Sequence, residues 1–131
     1  MHASVLYDAS ISLFTVGIWI VIYTLSVSVI EAIVMFFMKW GKFWRCLWVS
    51  LLMNVVSTIF GLILVEPVIG WINNLSTWMV VAYAFLLSVI IEGGVLMLIK
   101  RNAGRQNWLV SLAANIASYL LIILPLAWRN V

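Results

Sequence analysis

Two carboxylates stand where carboxylates are rarely tolerated. Glu31 and Glu92 each lie inside a long apolar run, and each has an asparagine, Asn54 or Asn115, in the apolar run that follows. A carboxyl near the middle of a bilayer costs at least about 2.5–3.5 kcal/mol on insertion scales. One hydrogen bond between membrane helices returns only about 0.6–2 kcal/mol, so a neutral Glu held by one Asn for structure alone leaves a deficit. That difference favours a functional site, in which Glu, Asn and Ser side chains bind a proton, a cation or a polar group of a lipid or substrate.

The spacing places these groups at one depth. Glu31 lies eight residues before Lys39 and Asn54 nine after Arg45, which at helical rise puts both roughly 12–14 Å from the basic end of their helices. The same relation sets Glu92 beside Asn115. Ser50, Asn54, Ser57 and Gly61 form one small or polar stripe, which Ser111, Asn115 and Ser118 largely repeat. Thr24 and Ser28 share the face of Glu31, and Ala84 and Ser88 that of Glu92. The candidate ion- or substrate-binding set is therefore Glu31, Glu92, Asn54, Asn115, Ser57 and Ser118.

Those matches belong to an internal repeat. An ungapped offset of 61 residues superposes Glu31 on Glu92, Lys39 on Lys100, Ser50 on Ser111, Asn54 on Asn115 and Ser57 on Ser118. Apolar coincidences are expected in so apolar a chain, whereas polar residues are scarce here. The chain divides into a first transmembrane hairpin over 1–66 and a second over 67–131, together one membrane domain. Each unit holds two helices, so the copies keep one orientation and are related by a pseudo-two-fold axis along the membrane normal. Gly93 and Gly94, where the first unit has Ala32 and Ile33, predict close helix packing or a local unwinding beside Glu92.

The elements that position the site follow from composition. Of 131 residues, 66% are hydrophobic and 8% charged, against about 25% charged in soluble domains. The predicted fold class is all-α: a polytopic membrane protein with four transmembrane helices as two tandem, parallel-duplicated hairpins. The spans fall at about Ser10–Met38, Leu47–Val65, Leu75–Ile99 and Trp108–Trp128, each long enough for a core ~30 Å thick. The segment Glu66–Asn74, with Pro67 and Gly70, predicts an exposed turn at the membrane interface. Pro125 predicts a tolerable kink near the end of the last helix.

Six of the seven Lys and Arg residues, namely Lys39, Lys42, Arg45, Lys100, Arg101 and Arg105, fall in the two turns that join the helices of each hairpin. They read as topology determinants that contact headgroups, which places both turns in the cytoplasm and both chain ends on the other side of a cell or inner membrane. The net charge of +3 therefore indicates no nucleic-acid partner. Trp40, Trp44, Trp71, Trp108 and Trp128 are expected to anchor at the headgroup layer. MHASVLYDAS has no basic n-region, so the first helix is expected to be retained, not cleaved as a signal peptide.

Catalytic machinery is not expected. The only histidine is His2, the lone Cys46 reads as an inert thiol, and no Cys/His cluster could hold a metal or haem. Neither a Ser/His pair nor a glycine-rich phosphate loop is present, so the expectation is a non-enzyme without cofactor or metal. The leading expectation is a small transport or conductance protein for a proton, cation or small polar solute. Four helices enclose little of a pathway, so a homo-oligomer or larger membrane complex in the lipid bilayer is implied. The alternatives are a non-catalytic membrane subunit or assembly factor, and a protein that handles lipid or a lipid-linked substrate.

Overall fold

A chain surrounded by lipid must satisfy its backbone N–H and C=O groups internally, and helices do so within one segment. The computed structural model describes the backbone of residues 2–71 and 76–128, and side chains over 14–64, 76, 78–126 and 128. The regular elements among the described residues are all helical: α1 (His2–Phe37), α2 (Phe43–Trp71), α3 (Thr77–Ile99), α4 (Gly104–Ser118) and α5 (Leu124–Trp128). A π-helical turn over Tyr119–Ile123 joins α4 to α5 without a break. Four helical stretches, Phe14–Phe37, Phe43–Leu64, Trp78–Ile99 and Arg101–Leu126, are long and apolar enough to cross a membrane.

The end of α2 differs from expectation. Where an exposed turn is predicted from Glu66, the α2 backbone runs on through Pro67 to Trp71. A proline withholds one hydrogen from the helical ladder, and an apolar setting favours keeping the remaining pairs. Residues 72–75 and the side chains of 65–71, Trp71 among them, lie outside the described residues. Ahead of Pro125 the Leu124 N–H reaches back five residues to the Tyr119 carbonyl, so the ladder is already offset where the proline enters. On the N-terminal side of α3, the Ser76 side chain accepts from the Met79 N–H and caps the helix.

The first basic turn is shaped by a Schellman motif. Lys39 is left-handed (φ 56), its N–H bonds the Phe36 carbonyl and the Trp40 N–H bonds the Met35 carbonyl. This aims Trp40 inward. The residue is 3% exposed, its Nε1 donates to Asn107 Oδ1 at 2.8 Å, and Lys100 Nζ donates to its carbonyl oxygen at 3.2 Å. The Arg45 guanidinium and the Lys100 ammonium lie 5.5 and 5.6 Å from the ring centre. Trp40 is thus a buried clasp between the two basic turns and not the headgroup anchor expected for it. Trp44 and Trp128 remain exposed. Gln106 and Asn107 complete the clasp by donating to the Met38 and Lys100 carbonyls.

Helix α1 packs on α2 and α4, α2 on α3, and α3 on α4, so the four spans form a square with consecutive neighbours. Packing is uneven along it. Ala32, Met35, Trp40, Cys46, Val49, Met53, Leu96 and Val110 form one apolar cluster between the basic turns and the two acids. Among the described residues none beyond Ser118, or between 14 and 26, 55 and 64, or 76 and 91, is buried. Among the described residues the bundle is therefore tightly packed at the end that carries the basic turns and loosely packed toward the other.

Close packing, expected for the glycine pair, holds at Gly93 and not at Gly94. Helix α3 runs unbroken through Gly93 and Gly94, so no unwinding occurs beside Glu92. A Cβ on Gly93 would lie 2.4 Å from the Trp108 ring, whereas one on Gly94 would meet nothing within 4 Å. At the positions 61 earlier the combination is Ala32 with Leu47, both in or against the apolar cluster. The small residue is smaller in the second hairpin because its partner is larger. Gly93→Ala is expected to destabilise the folded protein by about 1–3 kcal/mol, and Gly93→Ala with Trp108→Leu to recover part of that loss. Unfolding free energies in bilayers, with Gly94→Ala as the neutral comparison, check both.

Candidate functional site

Polar side chains buried among apolar helices need donors and acceptors from one another. Helix α1 brings Glu31 and helix α3 brings Glu92 to the bundle interior, each 1% exposed. Asn54 Nδ2 donates to Glu31 Oε2 at 2.5 Å and to the Ser50 carbonyl at 3.0 Å. Asn115 Nδ2 donates to Glu92 Oε2 at 2.6 Å and to the Ser111 carbonyl at 3.0 Å. Both amide hydrogens of each Asn are thus committed, one to its own helix and one to the acid.

The second oxygen of each acid is held across the bundle. Ser118 Oγ, on α4, donates to Glu31 Oε1 at 3.1 Å, and Ser57 Oγ, on α2, donates to Glu92 Oε1 at 3.2 Å. All four helix contacts of the square are therefore bridged by a hydrogen bond to one of two carboxyls: α1–α2 and α3–α4 by the amides, α1–α4 and α2–α3 by the hydroxyls. The interhelical pairing of each Glu with its Asn is as expected from spacing. The exchange of serines between hairpins was not legible from spacing, because helix pairing across hairpins is a tertiary fact.

The halves differ at one donor. Ser50 Oγ donates to Glu31 Oε2 at 3.0 Å, whereas Ser111 Oγ donates instead to the Val89 carbonyl at 2.9 Å. Glu31 has three side-chain donors and Glu92 two. Three interhelical bonds of about 0.6–1.7 kcal/mol each bring Glu31 near balance with its insertion cost. The energetic deficit inferred from a single Glu–Asn pair therefore largely closes, and a function must rest on other grounds.

One ground is the hydroxyl chemistry. Ser118 Oγ also lies 3.2 Å from the Asn115 carbonyl, and Ser57 Oγ 3.3 Å from the Asn54 carbonyl. A serine has one hydrogen to give and lone pairs to accept with. With its hydrogen turned to the acid it stabilises a carboxylate; with its hydrogen on the carbonyl it accepts from a carboxylic O–H. Each acid can thus hold or lose a proton by rotation of one hydroxyl, with no heavy atom displaced.

The other ground is space. Glu31, Glu92, Asn54, Asn115, Ser57 and Ser118 all line one cavity of about 110 Å³. The cavity walls also include Ser88, which shares the face of Glu92 as expected, and Tyr23, Thr58 and Tyr119. Thr58 and Tyr119 were identifiable in principle, since each lies one helical turn beyond its Asn. Thr24, expected to face inward with Glu31, lines a groove on the outside of α1 and α2 instead. The basic residues Lys39, Lys42, Arg45, Lys100, Arg101 and Arg105 gather at the closed end and none lines the cavity. Among the described residues no group of His, Cys, Asp and Glu could hold a metal ion.

No protein-family model, curated protein or solved structure matches this chain.

The cross-bundle bonds give a quantitative expectation. A double-mutant cycle of Glu31→Gln with Ser118→Ala is expected to show a coupling of about 0.5–2 kcal/mol, despite a separation of 87 positions in the chain. Ser50→Ala is expected to cost more than Ser111→Ala, because only Ser50 supports an acid. Steric-trapping or denaturant unfolding in micelles measures both; additive single effects would remove the Ser118 bond from the account.

Proposed function

We propose that this chain is a small membrane transport or conductance protein in which Glu31 and Glu92 take up and release a proton or a cation. The observation that carries the proposal is that both carboxyls face one shared cavity. Two acids recruited only to hold helices together could be packed without free space beside them. Like charges across one cavity repel, and a proton or cation between them relieves the repulsion. Asn54, Asn115, Ser57 and Ser118 supply the polar shell, and their hydroxyls can follow a change of charge.

In the proposed arrangement the two hairpins derive from one duplicated unit, and the basic turns face the cytoplasm with both chain ends opposite. The apolar layer containing Met35, Met53 and Leu96 then seals the cavity from the cytoplasm, and the loosely packed half gives access from the other side. The site needs side chains from one chain only. A second copy or a partner complex would serve to complete a path to water, not to build the site.

The test is flux. Purified protein in liposomes is expected to pass protons or monovalent cations down an imposed gradient, and Glu31→Gln and Glu92→Gln are each expected to lower the rate on the order of tenfold or more while helicity is retained. Wild-type protein without flux under any gradient, or variants as fast as wild type, would contradict the proposal.

A further inference from the structure

Two grooves run along the outside of the bundle, one on each hairpin. That between α3 and α4 has a volume of about 470 Å³ and is lined by Trp78, Phe85, Tyr119 and Leu120 among others. That between α1 and α2 has about 320 Å³ and includes Thr24, Val55, Thr58 and Ile59. The last four stand 61 residues before Phe85, Ile116, Tyr119 and Leu120, all in the larger groove. Both volumes fall in the range of ligand sites, about 300–1,000 Å³.

What separates these from ordinary clefts between membrane helices is that each shares one wall residue with the acid cavity. Tyr119 lines the larger groove and the cavity, and Thr58 the smaller groove and the cavity. Each groove therefore meets the polar site across a single side chain. The Tyr119 ring begins the π-helical turn and rests edge-on against Phe85, with centroids 5.1 Å apart. An occupant of the combined space must be apolar along the groove and polar at its inner end. The inner end holds two carboxyls and two tyrosine rings, Tyr23 and Tyr119, with no Lys, Arg or His. That chemistry suits a cation, by charge and by cation–π attraction.

Resting on the functional reading above, we propose that the substrate is a single-tailed amphiphilic cation, an alkylammonium taken sideways from the bilayer, its head between Glu31 and Glu92 and its tail in the α3–α4 groove past Tyr119. The larger groove is assigned because its volume is greater and an aromatic ring guards its inner end. A cation that replaces a proton on either carboxyl sends that proton to the medium, so charge balances at the site.

Proton release reads this directly. The full chain in phosphatidylglycerol nanodiscs, in weakly buffered solution with a pH dye, is titrated with decyltrimethylammonium and with tetramethylammonium, which shares the head and lacks the tail. The expected result is saturable proton release by both, with a midpoint for the decyl compound lower by on the order of tenfold or more, and no release from the Glu31→Gln/Glu92→Gln variant. Leu120→Trp and Leu86→Trp, which fill the groove from exposed positions, are expected to raise the decyl midpoint toward that of tetramethylammonium, while Leu121→Trp, outside the groove, leaves it in place. Equal midpoints for the two probes, groove variants that behave as wild type, or release that persists without both acids would each overturn the proposal. So would loss of the decyl response on replacing phosphatidylglycerol with phosphatidylethanolamine, which would assign the site to a two-chain lipid. Gradient-driven proton flux in liposomes without cation-coupled release sinks this inference and leaves the transport reading standing; absence of both sinks the two together.

Discussion

Two acids buried among apolar helices find their donors on neighbouring helices, and that requirement organises the bundle. Each carboxyl has two oxygens, and each oxygen is claimed by a different helix: Glu31 by α2 and α4, Glu92 by α4 and α2. The acids therefore sit on diagonal helices of the square and the donors on the other diagonal. Sliding any one helix by a turn would strand a buried carboxyl oxygen or an amide hydrogen, each of which is costly to leave unpaired in an apolar interior. Among the described residues no buried side-chain N or O atom is left without a partner. The ring sets helix register in a way that apolar contacts between greasy helices, which tolerate sliding, do not.

Around that ring the two hairpins are similar in plan and different in detail. Lys39 takes a left-handed conformation and delivers Trp40 to the opposite turn, whereas Lys100, 61 residues on, has φ −132 and bonds the Trp40 carbonyl. Ala32 with Leu47 becomes Gly93 with Trp108. Ser50 reaches an acid and Ser111 a backbone carbonyl. These differences concentrate polar bonding and tight packing at the basic end, where the clasp through Trp40 locks one turn to the other. Toward the opposite end, among the described residues, the Trp78 and Trp128 rings meet edge-on with centres 6.1 Å apart, and Tyr23, Thr58 and Tyr119 line the acid cavity.

Much of this was legible in the sequence because rare letters carry the information in an apolar chain. Four helical stretches, the register of Glu31 against Asn54 and of Glu92 against Asn115, and the gathering of basic residues in two turns all follow from spacing and composition. What did not follow depends on contacts between distant segments. Serine offers no sign in sequence of which helix its hydroxyl will face, so the crossing of Ser57 and Ser118 was hidden. Trp40 has the composition of a boundary anchor, and only a left-handed Lys39, a conformation the sequence does not announce, turns it inward. Pro67 and Gly70 argued for a turn, yet one missing N–H weighs less than a whole helical ladder in an apolar setting, and α2 continued. Nothing in the sequence marks the grooves, because Thr58 and Tyr119 are chemically unlike and their equivalence is one of position.

The central claim is that each carboxyl is clamped by donors from both hairpins. Solid-state NMR on the chain in lipid bilayers, with ¹³C-labelled glutamate and serine and ¹⁵N-labelled asparagine side chains, measures it most directly. The account predicts dipolar contacts from the Glu31 carboxyl carbon to the Asn54 amide and to the Ser118 side chain, and from the Glu92 carboxyl carbon to the Asn115 amide and to the Ser57 side chain. Contacts confined to the asparagines, with neither serine near an acid, would contradict it.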